Sequence, residues 1–401
     1  MLDFDTARDQ LIAAALPVQK TETVSLAEGL GRALCSAISS PINVPGFDNS
    51  AMDGYALHIV DFDKIPDRFP VTQRIAAGQT GKPLGPNEAA RIFTGAPVPQ
   101  GANVVVPQEH IETADDQIRL TQRIVPSQHI RRLGEDIEAG AAIIAAGTRL
   151  TPAHLALAAS VGVSTLEVHA KLKVAILFTG DELTEPGQPL APGAIYNSNR
   201  YAIRALLEKL GCEVTDLGIV RDAAQATRDT LQHASTLADV IVTCGGVSVG
   251  EEDHVKAAVQ ALGQLNLWQI AMKPGKPLAY GKVGEADFIG LPGNPVSAFV
   301  TFVLMARPFL LKRMGVANLD TPSIPAIAGF EWPKPDRRRE FLRASFDRNE
   351  QGASVLRIWP NQGSGVMSSV AWAEGLVDVP PNTVIKKGDT VQYIPFSDLM
   401  G

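Results

Sequence analysis

Between residues 171 and 317 the chain alternates extended apolar runs with amphipathic ones, and this pattern narrows the fold more than any other feature. LKVAILFTGDEL reads as a strand and a loop, NSNRYAIRALLEKLG as a helix closed by Gly211, and CEVTDLGIV as a strand. RDAAQATRDTLQHAS reads as a helix, DVIVTCGG as a strand and DHVKAAVQALG as a helix. WQIAM, PLAYGKV and DFIGL follow as three short strands, and VSAFVTFVLMARPFLLKRMG as a last long helix. Strands separated by helices form a mostly parallel sheet covered on both faces. Ligands of such sheets bind beyond the carboxyl ends of the strands. Four of these ends open into polar or glycine-bearing loops: TGDEL at 179–183, VRD at 220–222, CGGVSVGEED at 244–253 and LPGNP at 291–295.

The third loop has the most specific chemistry. Gly245, Gly246 and Gly250 follow a β-branched run and precede a helical pattern. Glycines let the backbone approach an anion, and a helix N-terminus adds partial positive charge. Glu251, Glu252 and Asp253 do not suit a bare phosphate site. They imply a divalent cation, or a polar group of the ligand, held there as well. Asp181, Glu182 and Asp222 stand at neighbouring strand ends. Acids gathered at one sheet edge fit a cation site or acid–base chemistry, and equally fit favourable charges at helix N-termini. MKPGKP at 272–277 sets Lys273 and Lys276 on a stiff turn suited to an oxyanion, though an isolated turn of this kind is also an ordinary basic surface loop. LPGNPVS offers Asn294 and backbone amides between Pro292 and Pro295, or simply a rigid turn.

The flanks differ in kind. Residues 4–15 and 25–34 carry helical periodicity. PINVPGFDNSAMDGYAL at 41–57 is a loop rich in Asp48, Asn49, Ser50 and Asp53, residue types that form capped turns. Short β-like runs fill 68–125, and Thr94 lies just after one of them, in RIFTGAPVP. Thr151 and Pro152 mark a helix start. After 318 the alternation stops, and five short strand-like runs predict a small β-barrel or sandwich. The expected fold is thus α/β plus mainly β and multidomain. A doubly wound α/β domain spans 171–317. Before it come a helical, linking domain (1–45 with 140–170) and a small β-rich domain (46–139), together an elongated N-terminal region. A barrel-like domain spans 318–401.

A net charge of -7 over 401 residues argues against general nucleic-acid binding, so an anionic ligand needs a local basic site. Three scattered cysteines, Cys35, Cys212 and Cys244, form no metal or disulfide pattern and favour a reducing compartment. No signal peptide is visible at the start, and the apolar run 297–311, broken by Arg307 and Pro308, reads as a buried helix rather than a membrane span. The expected location is the cytoplasm.

FDNSAMDGYA, RIFTGAPVP, GEDI, TGDEL, YNSN, GGVSVGEED, KPGKP and LPGNPVSA occur in one order over nearly the whole chain. In this the sequence resembles the MoeA family, the molybdopterin molybdenumtransferases, and the related C-terminal domain of gephyrin. The resemblance implies a MogA-like central domain, and insertion of molybdenum from molybdate into adenylylated molybdopterin with release of AMP and a need for Mg2+. It places Asp53, Thr94, Asp136, Glu182, Asp222 and Asp253 among the catalytic residues, with Glu182, Asp222 and Asp253 toward the metal. Gly245, Gly246, Ser248, Gly250, Lys273, Lys276, Pro292, Asn294 and Pro295 would bind the substrate. It implies a homodimer in which Asp53, Thr94 and Asp136 reach the cleft of a second subunit. A MogA-like adenylyltransferase and molybdoenzyme chaperones would be its protein partners, with neither nucleic acid nor membrane among its contacts. His254 departs from the aromatic residue expected at that position. The alternatives are molybdopterin adenylyltransferase, which would not need the flanking domains, a tungsten-inserting paralogue, and a gephyrin-like scaffold, which would not need every acidic and lysine motif.

Overall fold

In the computed structural model, which describes residues 1–246 and 254–400, the alternating segment forms one six-stranded sheet. Its order is Glu213–Val220, Lys173–Thr179, Val240–Cys244, Ala286–Leu291, Pro277–Val283 and Gly263–Gln269. The first four strands run parallel, and Pro277–Val283 alone is reversed, antiparallel to both of its neighbours. Val240–Cys244 and Ala286–Leu291 are buried throughout, as continuous apolar runs in a sheet covered on both faces must be. Along Lys173–Thr179 the period of two divides the core: Val174, Ile176 and Phe178 face one helix layer, Ala175 and Leu177 the other. The helix Ser198–Leu210 begins at Asn197, whose side chain accepts from the Arg200 amide at 3.2 Å, and ends at Gly211 in the left-handed conformation. The strand expected at WQIAM begins earlier, at Gly263. Its antiparallel partner runs so close that a Cβ on Gly281 would sit 2.0 Å from the Gln264 carbonyl oxygen.

The last long helix runs Pro295–Arg313, longer than the apolar run read in the sequence. With a mean hydropathy of 1.4 it is long and apolar enough to cross a membrane, but 89% of that window is buried inside the protein. Pro308 cannot donate a backbone hydrogen bond, and the helix meets it with a π turn at Phe302–Ala306, where the Arg307 amide donates to the Phe302 carbonyl. The first helix, Phe4–Ala14, packs its buried Phe4, Ala7 and Leu11 into the same core. Lys312 Nζ donates to the Ile12 carbonyl at 2.8 Å, and Arg339 joins Asp5 at 3.0 Å to Asp378.

The periodicity over 25–34 does not yield a helix. Ser25 and Glu28 close a capping box over the single turn Leu26–Glu28, and Gly29 and Gly31, the latter at φ 75, stop it. The chain then pairs Ile38–Ser39 with Ala142–Ile144, and Thr21–Ser25 with Thr165–His169. The helix Pro152–Ser160, capped by Thr151, covers this small unit. The intervening chain forms the β-rich unit, a six-stranded sheet ordered Val104–Pro107, Gly54–Leu57, Ala89–Ile92, Phe69–Ile75, Gln117–Leu120 and Ile111–Ala114.

The five runs expected after 318 are all strands. Ile324–Ile327, Thr390–Pro395, Gly375–Val379, Arg339–Arg348 and Ser354–Ile358 pair in that order. A parallel bridge from Ala328 to Leu356 closes the ring, so the unit is a barrel. Two short helices, Met367–Trp372 and Phe396–Met400, were not visible in the sequence pattern. The barrel also takes a strand from outside itself: Met272–Lys273 pairs in parallel with Arg339 and Glu340.

Leu11 is fully buried between the first helix and the central domain. Leu11→Ala should cost about 2–5 kcal/mol of stability, read as a lower denaturation midpoint; a loss under about 1 kcal/mol would contradict this packing.

Candidate functional site

The order of the sheet positions a crevice. From Lys173–Thr179 the chain crosses to Glu213–Val220 on one side and then to Val240–Cys244 on the other. The two loops leaving this switch point diverge and leave space between them. A cavity of about 620 Å³ lies there, with Thr179 and Cys244 at its floor and Glu182 at its edge. The turn carrying Lys273 and Lys276 forms one wall, and Pro292, Asn294 and Pro295 at the start of the long helix form another. The barrel closes the remaining side with Arg338, Gln362, Gly363 and Ser364.

Local chemistry accounts for each placement. Gly245 and Gly246 have φ of 87 and 63, and a Cβ on Gly246 would lie 2.6 Å from Val255. Only glycine turns the chain here. The Glu182 carboxylate lies over Gly180, where an added Cβ would meet it at 2.6 Å. Asn199 Nδ2 donates to the Gly293 carbonyl at 2.7 Å and fixes the turn before the helix. The Val296 amide donates to the Ser364 carbonyl at 2.9 Å, which ties the barrel loop to the helix start.

The two lysines are not equivalent. Lys273 Nζ lies 2.8 Å from Glu340 Oε1 and 3.5 Å from Asp336 Oδ2. Arg338 grips both oxygens of Asp336, at 2.8 and 3.1 Å, and this fork holds the Asp336 carboxyl well below the usual range. Lys276 is exposed and has no carboxylate partner among the described residues. Cys244 is buried, and burial pushes its thiol far up, so it stays protonated at neutral pH.

Asp222 does not line the cavity. It stands beside Asp181, whose Oδ1 accepts from the Asp222 amide at 3.4 Å. Among the described residues no three acidic, cysteine or histidine groups converge on a metal-sized site. Asp253, Ser248 and Gly250, with Glu251 and Glu252, lie outside the described residues.

Asp53, Thr94 and Asp136 lie on the N-terminal β-rich unit, and none lines this cavity. Asp53 Oδ1 accepts from both the amide and the hydroxyl of Thr94 at 2.8 Å. The amide first and the hydroxyl second hold the exposed Asp53 carboxyl below its ordinary value. The neighbouring polar residues serve the turn: Asp48 binds Arg132 at 2.6 Å, and Ser50 Oγ donates to the Met52 carbonyl. Asp136 is exposed, with its amide on the Val44 carbonyl. Phe47, Met52 and Leu133 are 49%, 40% and 53% exposed on this unit.

The barrel's part in the cleft was missed in the sequence. Its signals were the basic run at 337–339 and the glycine-flanked turn NQGSG at 361–365.

Three family models cover most of the chain: the MoeA N-terminal region (domain I and II) over 2–162, a probable molybdopterin binding domain over 175–312, and the MoeA C-terminal region (domain IV) over 325–396. A molybdopterin molybdenumtransferase of Haemophilus influenzae is 40% identical over 405 residues, covering 100% of both chains. Molybdopterin molybdenumtransferase 2 of Mycobacterium tuberculosis is 36% identical over 94% of this chain and 95% of its own. The crystal structure of a molybdopterin biosynthesis moeA protein from Pyrococcus horikoshii superposes with a TM-score of 0.84 at 27% identity, covering 98% of this chain and 100% of that one.

Two outcomes follow from the geometry. Thr94→Ala should raise the Asp53 pKa only part of the way to an ordinary carboxyl, because the amide remains. The lowered pKa means the Asp53–Thr94 contact stabilises the fold above the unfolded carboxyl pKa and fades as pH falls through the folded one. A carboxyl NMR titration reads this, and an unmoved pKa contradicts it. In alkylation followed by mass spectrometry, the part-exposed Cys35 should react first. Cys212, pushed up to about 12 by burial, and Cys244 should label only on unfolding, and early labelling of Cys244 contradicts its placement.

Proposed function

The chain belongs to the MoeA family, and from that premise we propose that it inserts molybdenum from molybdate into adenylylated molybdopterin, releasing AMP. The observation that carries this reading is the cleft at the switch point of the sheet, where Lys276, Lys273 and Arg338 meet the turn 292–295. The substrate brings a phosphoanhydride and the molybdate an oxyanion. Both need cations and backbone amides in a protein whose net charge is otherwise -7. The dithiolene sulfurs belong to the pterin, so no protein thiolate is required, in keeping with the protonated Cys244.

Among the described residues Glu182 is the one acid that lines the cavity, so a magnesium ion there would draw most of its shell from the ligand and water. Mg2+ commonly takes one or two carboxylates and completes its shell with phosphate oxygens and water. In this proposal Glu182 would hold it at the cavity edge, and Asp222, outside the cavity lining, and Asp253, outside the described residues, would be its further carboxylates. When bound, the ion neutralises charge on the phosphoanhydride. Lys276 and Lys273 neutralise the oxyanion, and the turn 292–295 presents polar groups to the nucleotide.

Asp53, Thr94 and Asp136 complete the cleft from a second copy of the chain in this reading. The exposed Phe47, Met52 and Leu133 beside them support such an interface. Asp53, held ionised by Thr94, acts as a base or an orienting carboxylate rather than an acid. The three free cysteines support a cytoplasmic site of action, beside an adenylyltransferase that supplies the substrate.

The test supplies adenylylated molybdopterin, Mg2+ and molybdate, and follows AMP. Molybdate-dependent AMP release is expected, and its absence removes the transferase reading. Adenylylation of molybdopterin by ATP would favour the preceding step instead, and preference for tungstate a tungsten-inserting enzyme. Asp53→Ala should lower kcat by about 100-fold or more while the chain stays folded, since only the exposed contact to Thr94 is lost. Unchanged turnover would remove Asp53 from the site.

A further inference from the structure

We propose that Glu340 is a positioning residue for the cleft: it pins Lys273 so that the ammonium meets the incoming oxyanion in a fixed place. The inference rests on the reading that this cleft binds an oxyanion, and adds a residue from the barrel that acts through another side chain.

Glu340 is 2% exposed, which is costly for a carboxylate unless both oxygens are bound. Both are. Oε1 faces Lys273 Nζ at 2.8 Å, and Oε2 accepts from the Trp332 indole at 2.8 Å. The two backbones are in register, because Lys273 pairs directly with Glu340 across the parallel bridge between the sheet domain and the barrel. An ammonium has three donors. One goes to Glu340, and a second direction faces Asp336 at 3.5 Å. The side chain is still 41% exposed and lines the cavity, so a direction remains for a ligand.

Two effects oppose each other. The Glu340 charge cancels part of the Lys273 attraction for an anion. Against this, a free lysine loses most of its rotamer freedom when a ligand orders it, and a lysine already held has lost it in advance. Lys276, three residues on and without a carboxylate partner among the described residues, supplies the uncancelled charge. The arrangement divides the work: Lys276 attracts, Lys273 places. The two effects also predict opposite signs for one substitution. Removing the Glu340 charge strengthens anion binding if neutralisation dominates and weakens it if positioning dominates.

Glu340→Gln keeps the volume and an acceptor for Trp332, and loses the hold on Lys273. Binding of molybdate alone to the full chain is measured by calorimetry, beside the kinetics of AMP release. The expected result is a rise of about tenfold in the molybdate Kd and KM, with kcat changed less than about threefold. An unchanged or lower Kd overturns the proposal, as does a wild-type chain that binds no molybdate. If the variant does not fold, Trp332→Phe loosens Glu340 while leaving its charge, and should raise the Kd about threefold; an unchanged Kd then overturns it. Failure of the functional reading looks different: wild-type chain that binds molybdate but releases no AMP, with the Kd comparison still deciding the role of Glu340.

Discussion

The structure depends on the parallel pairing of Lys173–Thr179 with a strand on each side, Glu213–Val220 and Val240–Cys244. The chain leaves this central strand first to one side and then to the other, so the loops at its carboxyl end part and a crevice results. The burial of both faces makes the arrangement rigid, and the glycines at 245 and 246 let the loop turn at once beside Thr179. The barrel is then locked over one side. Met272–Lys273 joins its sheet, and the Ser364 carbonyl receives the Val296 amide. The cleft is therefore a joint between two units, with rigid elements on both sides.

Electrostatics give the cleft its direction. An acidic protein repels anions at long range, so binding must come from short-range contacts within about a Debye length of ~8 Å at physiological salt. Arg338 and Lys273 are each paired with carboxylates on the barrel side, whereas Lys276 has no carboxylate partner among the described residues. Fixed, partly neutralised cations give geometry, and the exposed Lys276 gives attraction. On the N-terminal unit the same logic is reversed: Asp53 is held ionised by two donors from Thr94 and presents a carboxylate beside an exposed apolar surface.

The central sheet was readable in the sequence because its strands are continuous apolar runs and its helices carry caps such as Asn197 and Gly211. The five strands of the barrel were readable for the same reason. The expected helix at 25–34 failed because spacing alone does not register two glycines that stop a turn. The cleft was half legible. Glycine loops, the KPGKP turn and LPGNP carry local signatures, and the resemblance ordered them. Arg338, Glu340 and the loop at 362–364 lie in a strand-rich tail whose basic run and glycine-flanked turn do not by themselves point to the cleft, and the parallel bridge from Lys273 and the Val296–Ser364 bond bring them in. The unequal condition of the two lysines was not legible at all, because it depends on partners more than sixty residues away.

The proposed site takes residues from two chains, with the sheet cleft of one meeting Asp53 of the other. Subunit complementation tests it most directly. Chains carrying Asp53→Ala and chains carrying Lys276→Ala, each inactive alone, are mixed under conditions that exchange subunits. A mixed dimer then holds one site with both changes and one with neither, and a random mixture should recover about a quarter of wild-type AMP release. If both residues act within one chain, no intact site can form, and the mixture stays as inactive as its parts.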